Sequence, residues 1–134
     1  MAVQADGKIL VTAAERVLRY LPDGRLDASF GEAGMMAIAF GHAVALQPDG
    51  KILLAAGARL ARYLPDWRLD PGFGRAGIAT IDARLGLRLE AAPVLQPDGK
   101  IVMAATLLAD GRGSAAVVRF NSDGMLDLTF GDPE

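Results

Sequence analysis

A chain of 134 residues, 51% hydrophobic and 22% charged, has the length of one domain and the composition of a folded one. Its net charge of −2 lacks the basic surplus of a nucleic-acid binder, and the absence of cysteine excludes disulfides, thiolate chemistry and Cys-ligated zinc.

At the N-terminus, Met1-Ala2-Val3-Gln4 has no basic stretch leading into an apolar run. The chain as written is therefore expected to carry no signal peptide, and the compartment stays open. The first motif follows as Gln4-Ala5-Asp6-Gly7-Lys8-Ile9-Leu10. It returns as Gln47-Pro48-Asp49-Gly50-Lys51-Ile52-Leu53 and as Gln96-Pro97-Asp98-Gly99-Lys100-Ile101-Val102. Lys8, Lys51 and Lys100 are the only lysines, so they mark the repeat before they mark a patch.

A second motif trails each first one. It reads Arg19-Tyr20-Leu21-Pro22-Asp23-Gly24-Arg25-Leu26-Asp27-Ala28-Ser29-Phe30-Gly31 in copy one. Copy two runs from Arg62-Tyr63-Leu64-Pro65-Asp66-Trp67 to Asp70-Pro71-Gly72-Phe73-Gly74, and copy three from Arg119-Phe120-Asn121-Ser122-Asp123-Gly124 to Asp127-Leu128-Thr129-Phe130-Gly131. The Gln-to-Phe interval is equal in the first two copies, 4 to 30 and 47 to 73. It is longer in the third, 96 to 130, through an insertion near Asp110-Gly111-Arg112-Gly113-Ser114 that reads as an exposed loop tip.

The Asp-Gly pairs are turn formers: Asp bonds its own backbone and Gly accepts φ > 0. Apolar runs such as Ala43-Val44-Ala45-Leu46 and Ile52-Leu53-Leu54 flank them, which is a hairpin signal. Strands are expected near 35–40, 43–47, 51–56 and 59–64, with equivalents in the other copies. Residues 83–92 are rich in Leu, Arg and Ala, but Gly86 and Pro93 punctuate them; a loop plus strand is expected over a helix. The stretch Met35 to Leu46, the most apolar, is broken by Gly41 and His42 and is too short to span a membrane. The fold class is all-β: three tandem antiparallel β-meander repeats, each the size of a β-propeller blade, forming an incomplete propeller in one chain. The repeats fall at about 1–33, 34–76 and 77–134 of a single repeat domain.

The paired motifs resemble the delta-sixty repeat, and the resemblance covers nearly the whole chain. It implies a β-propeller-like fold and bacterial parent proteins that are often secreted or at the cell surface. It implies no catalytic residues. Three positions depart from the pattern: Ala5 replaces the turn Pro, Asn121-Ser122 replaces Leu-Pro, and Trp67 stands where Gly24 and Gly124 stand. A bulky residue at a φ > 0 position is costly, so either that turn changes type or the second copy has drifted.

Candidate chemistry is sparse. His42 is the only histidine and reads as a loop residue without an orienting partner. Asp6, Asp49 and Asp98, and Asp23, Asp66 and Asp123, supply one carboxylate per turn, which suits a turn former better than a calcium ligand set. Arg19, Arg62 and Arg119 precede Tyr20, Tyr63 and Phe120; a ligand-stacking face is one reading, a solvated face opposite a core face the preferred one. Phe30, Phe73 and Phe130 are expected as wedges between blades. Gly111-Arg112-Gly113 is too short a glycine cluster to mean anything. Neither catalytic nor metal-ligating residues are assigned, no cofactor is expected, and ligand-binding residues are not identified.

Function is expected to be a non-catalytic scaffold for a protein or glycan ligand. The alternatives are a propeller enzyme of the lyase or lactonase kind and a degenerate fragment of a longer array. The enzyme would need converging His, Asp or Glu on inner strands, and the stretches taken as inner, Met35 to Phe40 and Ile78 to Ile81, are almost wholly apolar. Open first and last sheets imply self-association or further repeats; neither nucleic acid nor a membrane span enters the expectation.

Overall fold

The computed structural model describes residues 1–38, 41–109 and 111–131. Its strands are β1 (Ala2–Val3), β2 (Ile9–Ala13), β3 (Arg16–Tyr20), β4 (Met35–Ala37), β5 (Ala43–Leu46), β6 (Ile52–Ala56), β7 (Arg59–Tyr63), β8 (Ile78–Thr80), β9 (Leu87–Leu89), β10 (Val94–Leu95), β11 (Ile101–Ala109) and β12 (Arg112–Phe120). They form three four-stranded antiparallel sheets, β1–β4, β5–β8 and β9–β12. The all-β, blade-like reading therefore holds.

Local chemistry repeats as the motifs do. In the first turn of each copy the Gly amide bonds back to the Gln carbonyl, at 2.9 Å for Gly7 to Gln4 and 3.0 Å for Gly50 to Gln47 and Gly99 to Gln96. Ala5 changes nothing in this geometry: Gly7 and Gly50 both have φ 86. The second turn closes in the same way, from Gly24 to Leu21 at 2.9 Å.

Each sheet is built on a hairpin with a two-residue link, Ala13 facing Arg16, Ala56 facing Arg59 and Ala109 facing Arg112. Ala14 and Glu15 adopt φ 46 and φ 60 to make the first link; such a turn twists with the strands it joins. The third hairpin corrects the loop expectation. Its strands are nine residues each where β2 and β3 are five, so the insertion is spent on extending the ladder. Gly113 and Ser114 lie within β12; Asp110 lies outside the described residues.

Residues 83–92 contain a single 3₁₀ turn (Ala83–Leu85), then β9. Strands β9 and β10 both pair with β11, as two pieces of one edge strand.

The phase of the sheets differs from the strand grouping expected from sequence. Met35–Ala37 pairs with β3 of the first sheet, and Ile78–Thr80 with β7 of the second. A tight turn after Phe-Gly folds each strand back onto the hairpin that precedes it. At Gly74 a Cβ would run into the carbonyl oxygen of Ile78, so only glycine fits this reversal.

The stretches taken as inner strands are therefore the edges opposite β1 and β5, which are the edges that approach one another. The correct edge strands, Ala2–Val3, Ala43–Leu46 and Val94–Leu95, also hold no His, Asp or Glu.

Two apolar clusters join the sheets. Leu10, Val17 and Phe30 of the first sheet meet Val44, Ile52, Leu54 and Tyr63 of the second. From its other face Leu53, Leu60 and Phe73 meet Ile101, Met103 and Phe120 of the third. Alternation along the strands places odd and even positions on opposite faces, so the middle sheet is buried on both. No helix among the described residues is long and apolar enough to cross a membrane.

Candidate functional site

The recurrent Arg does not sit on a solvated face. Arg62 is 7% exposed and Asp70 6%, and the Arg62 Nε donates to Asp70 Oδ2 at 2.8 Å. Its guanidinium lies 4.5 Å from the centre of the Phe73 ring. Lys51 Nζ reaches the same carboxylate oxygen at 3.4 Å. The lysine of the first motif is thus tied to the Arg and Asp of the second.

The clamp occurs in every copy. Arg19 donates to Asp27 at 2.9 Å and stacks on Phe30 at 4.5 Å; Arg119 donates to Asp127 at 2.9 Å and stacks on Phe130 at 4.4 Å. Lys100 Nζ donates to Asp127 at 3.1 Å, and Lys8 stands 3.8 Å from Asp27. The backbone locks the pair as well, the amides of Asp27, Asp70 and Asp127 bonding to the carbonyls of Arg19, Arg62 and Arg119.

All three carboxyls are held below the usual carboxylate range. For Asp127 the leading cause is the Thr129 hydroxyl at 2.6 Å, followed by Lys100. For Asp27 it is the Ser29 hydroxyl at 2.5 Å. Asp70 has Gly72 at that position; burial pushes its carboxyl up, and the Gly72 amide, Arg62 and Lys51 together bring it down. Sequence reasoning missed these aspartates, although Leu-Asp follows each Arg at constant spacing.

The clamp also makes the joint between the second and third sheets. Arg62 Nη1 donates to the Ser122 carbonyl at 2.7 Å, and the Gly74 amide to the Asp123 carbonyl at 2.7 Å. Gly124 presses on Phe73, where a Cβ would lie 3.0 Å from two ring carbons. The turn of one sheet thereby seats in the Arg-Phe-Gly cradle of the sheet before it. Phe30 and Phe73 are wedged between sheets, 4% and 0% exposed; Phe130 is half-buried at the open end of the third sheet.

The turn aspartates bond their own turns. Asp6, Asp49 and Asp98 accept the amides of Lys8, Lys51 and Lys100 at 3.0–3.1 Å, and Asp23, Asp66 and Asp123 those of Arg25, Arg68 and Met125. Among the described residues no three His, Cys, Asp or Glu groups are gathered as a metal site.

Two concavities bear on the residues singled out from the sequence. A groove of about 740 Å³ is lined by Val3, Gln4, Leu46, Gln47, Pro65 and Leu95 among others, and so collects residues of all three sheets. The Oε1 atoms of Gln4, Gln47 and Gln96 are buried without a hydrogen-bond partner. A smaller cleft of about 210 Å³ is lined by His42, Arg88 and Glu90, among others. His42 is exposed, and its backbone carbonyl accepts the Thr12 hydroxyl at 2.9 Å.

A family model described as a domain of unknown function (DUF5122) beta-propeller matches residues 4–30, 47–73 and 96–130. Each matched segment runs from the Gln of a first turn to the Phe of a clamp. No curated protein matches the chain, and no solved structure does. The matched segments make up more than half of the chain, which belongs to this beta-propeller family.

Proposed function

We propose that this propeller-family chain is a non-catalytic scaffold that holds a protein or glycan ligand, of the delta-sixty type carried by bacterial surface or secreted proteins. The groove over the Gln turns carries the reading. It offers apolar surface from Val3, Leu46, Pro65 and Leu95 beside two glutamines with unpartnered buried oxygens. Buried acceptors without partners are rare in native structures. An occupant with O–H or N–H donors and an apolar face, as a sugar ring or an extended peptide has, would satisfy both features once the glutamine amides turn out toward the groove.

Calorimetric titration with a panel of glycans and unstructured peptides tests it. Binding should weaken at least about tenfold in Gln47→Leu, the cost of one buried hydrogen bond. A panel that fails to bind, or binding indifferent to Gln47→Leu, contradicts the reading.

The second reading, an enzyme of the lyase or lactonase kind, draws on the cleft that places His42 beside Arg88 and Glu90. No hydrogen bond joins these side chains among the described residues. Turnover of a bound ligand that disappears in His42→Ala would favour this reading over the scaffold.

A further inference from the structure

The two outer sheets carry the two halves of a joint that the chain itself builds once in full. On the second sheet, Leu53, Leu60 and Phe73 are each 0% exposed because the third sheet covers them. The same ladder positions on the third sheet are Val102, Val117 and Phe130, aligned by the pairings Leu53 with Arg62 and Val102 with Arg119. Among the described residues no further sheet covers these: Val117 is 59% exposed, and Val102 and Phe130 are half-buried. The Arg119 clamp is nonetheless complete, stacked on Phe130 as Arg62 is on Phe73.

The opposite half stands on the first sheet. The third sheet docks through Ile101, Met103 and Phe120, which are 0%, 1% and 1% exposed. Their counterparts Ile9, Val11 and Tyr20 are half-buried, with Leu18 between them in the ladder. The docking turn is also duplicated. Gly124 is pressed against Gly74 and Phe73, whereas Gly24 has no atom within 4 Å of where its Cβ would lie.

We infer that a second copy of this chain docks head to tail, its Leu21–Gly24 turn and Ile9, Val11, Leu18 and Tyr20 face seating on the Val102, Val117, Arg119 and Phe130 face of the first. The occupant is a second copy because both complementary faces belong to this one sequence, and the joint between the second and third sheets is their template. By that template the Gly131 amide donates to the Asp23 carbonyl of the second copy, and Arg119 to its Pro22 carbonyl. Such a contact joins two different faces and generates a ring where the rotation closes. The inference is independent of the groove: ligand binding and assembly are read by separate experiments.

Light scattering after size exclusion tests it, with two variants, Val117→Glu on one face and Leu18→Glu on the other. Circular dichroism and Trp67 fluorescence establish that each variant is folded. The wild-type chain should show two or more times 14.0 kDa. Each variant alone should fall to the mass of one chain, and mixing the two should restore a one-to-one pair, since one intact face of each kind remains. In the wild type, without any variant, amide exchange at Gly131 should slow over the concentrations at which the mass rises. A wild-type chain that stays at 14.0 kDa overturns the inference, as does either variant that keeps the wild-type mass. Persistence in Leu18→Glu alone would mean that the third sheet pairs with itself.

Discussion

Trp67 packs edge-on against Phe30 of the preceding sheet, with ring centres 5.2 Å apart and planes at 67°. It also lies 5.8 Å from Tyr63. Its φ is 68, in the region where Gly24 and Gly124 sit at φ 88 and 87. The turn has kept its type: the Trp67 amide bonds to Leu64 at 2.8 Å just as the Gly124 amide bonds to Asn121 at 2.9 Å. The two joints are consequently sealed differently. Between the second and third sheets bare backbone approaches Phe73 closely enough for two hydrogen bonds. Between the first and second, among the described residues, neither bond has a counterpart from Arg19 or Gly31, and an indole fills the space.

Trp67→Ala should therefore cost more than Trp67→Gly. Alanine keeps the strained backbone and loses the ring, whereas glycine sheds strain of about 1 kcal/mol. A double-mutant cycle with Phe30→Ala should give a coupling of about 1 kcal/mol, the usual worth of an aromatic pair. Urea unfolding measures the wild type and all four variants. Equal costs for Ala and Gly would show that the backbone at 67 carries no strain.

Phe73→Ala removes a fully buried ring that also supports Arg62. A loss of about 3–5 kcal/mol is expected from the cavity alone. In denaturant this should appear as a lower midpoint with an unchanged slope. A loss below about 1 kcal/mol would mean the ring is not the wedge of the joint.

The clamp aspartates make stability depend on acid. Asp27, Asp70 and Asp127 each have a folded pKa below the ordinary value. Their contribution is full above the unfolded carboxylate pKa of about 3.9 and is lost as pH falls toward the folded values. The melting temperature should change little between about pH 7 and 5 and drop steeply below about 4. Asp70→Asn should flatten part of that drop. A melting curve that already collapses between about pH 7 and 5 would point to other titrating groups.

Asp49→Ala should cost about 1 kcal/mol, because the Lys51 amide loses its side-chain acceptor. Asp49→Asn should keep most of that, since an amide oxygen accepts equally. Added calcium should leave both melting temperatures unmoved. A calcium-dependent rise in the wild type that vanishes in Asp49→Asn would restore the metal reading.

The turns, the hairpins and the number of blades were legible because Asp-Gly turn chemistry and period-two alternation act within a few residues. Strand phase was harder. Met35–Ala37 and Ile78–Thr80 are apolar and β-compatible whichever neighbour they pair with, and the reversal at Phe-Gly that decides the matter depends on a carbonyl four residues on. The clamp was written in the repeats as Lys8, Arg19 and Asp27, but as residues of two separate motifs. Only the hairpin register brings Lys51 and Arg62 onto one carboxylate oxygen of Asp70. The groove could not be read at all, since Val3, Leu46 and Leu95 meet only when three sheets stand side by side.

The repeat signature builds the joint between sheets, and amide hydrogen exchange at Gly74 and Gly31 tests this most directly. The Gly74 amide is bonded across the joint to Asp123 at 2.7 Å, while Trp67 holds the equivalent turn away from Gly31. Slow exchange at Gly74 with fast exchange at Gly31 is the expected result. Equal exchange at the two glycines would contradict it.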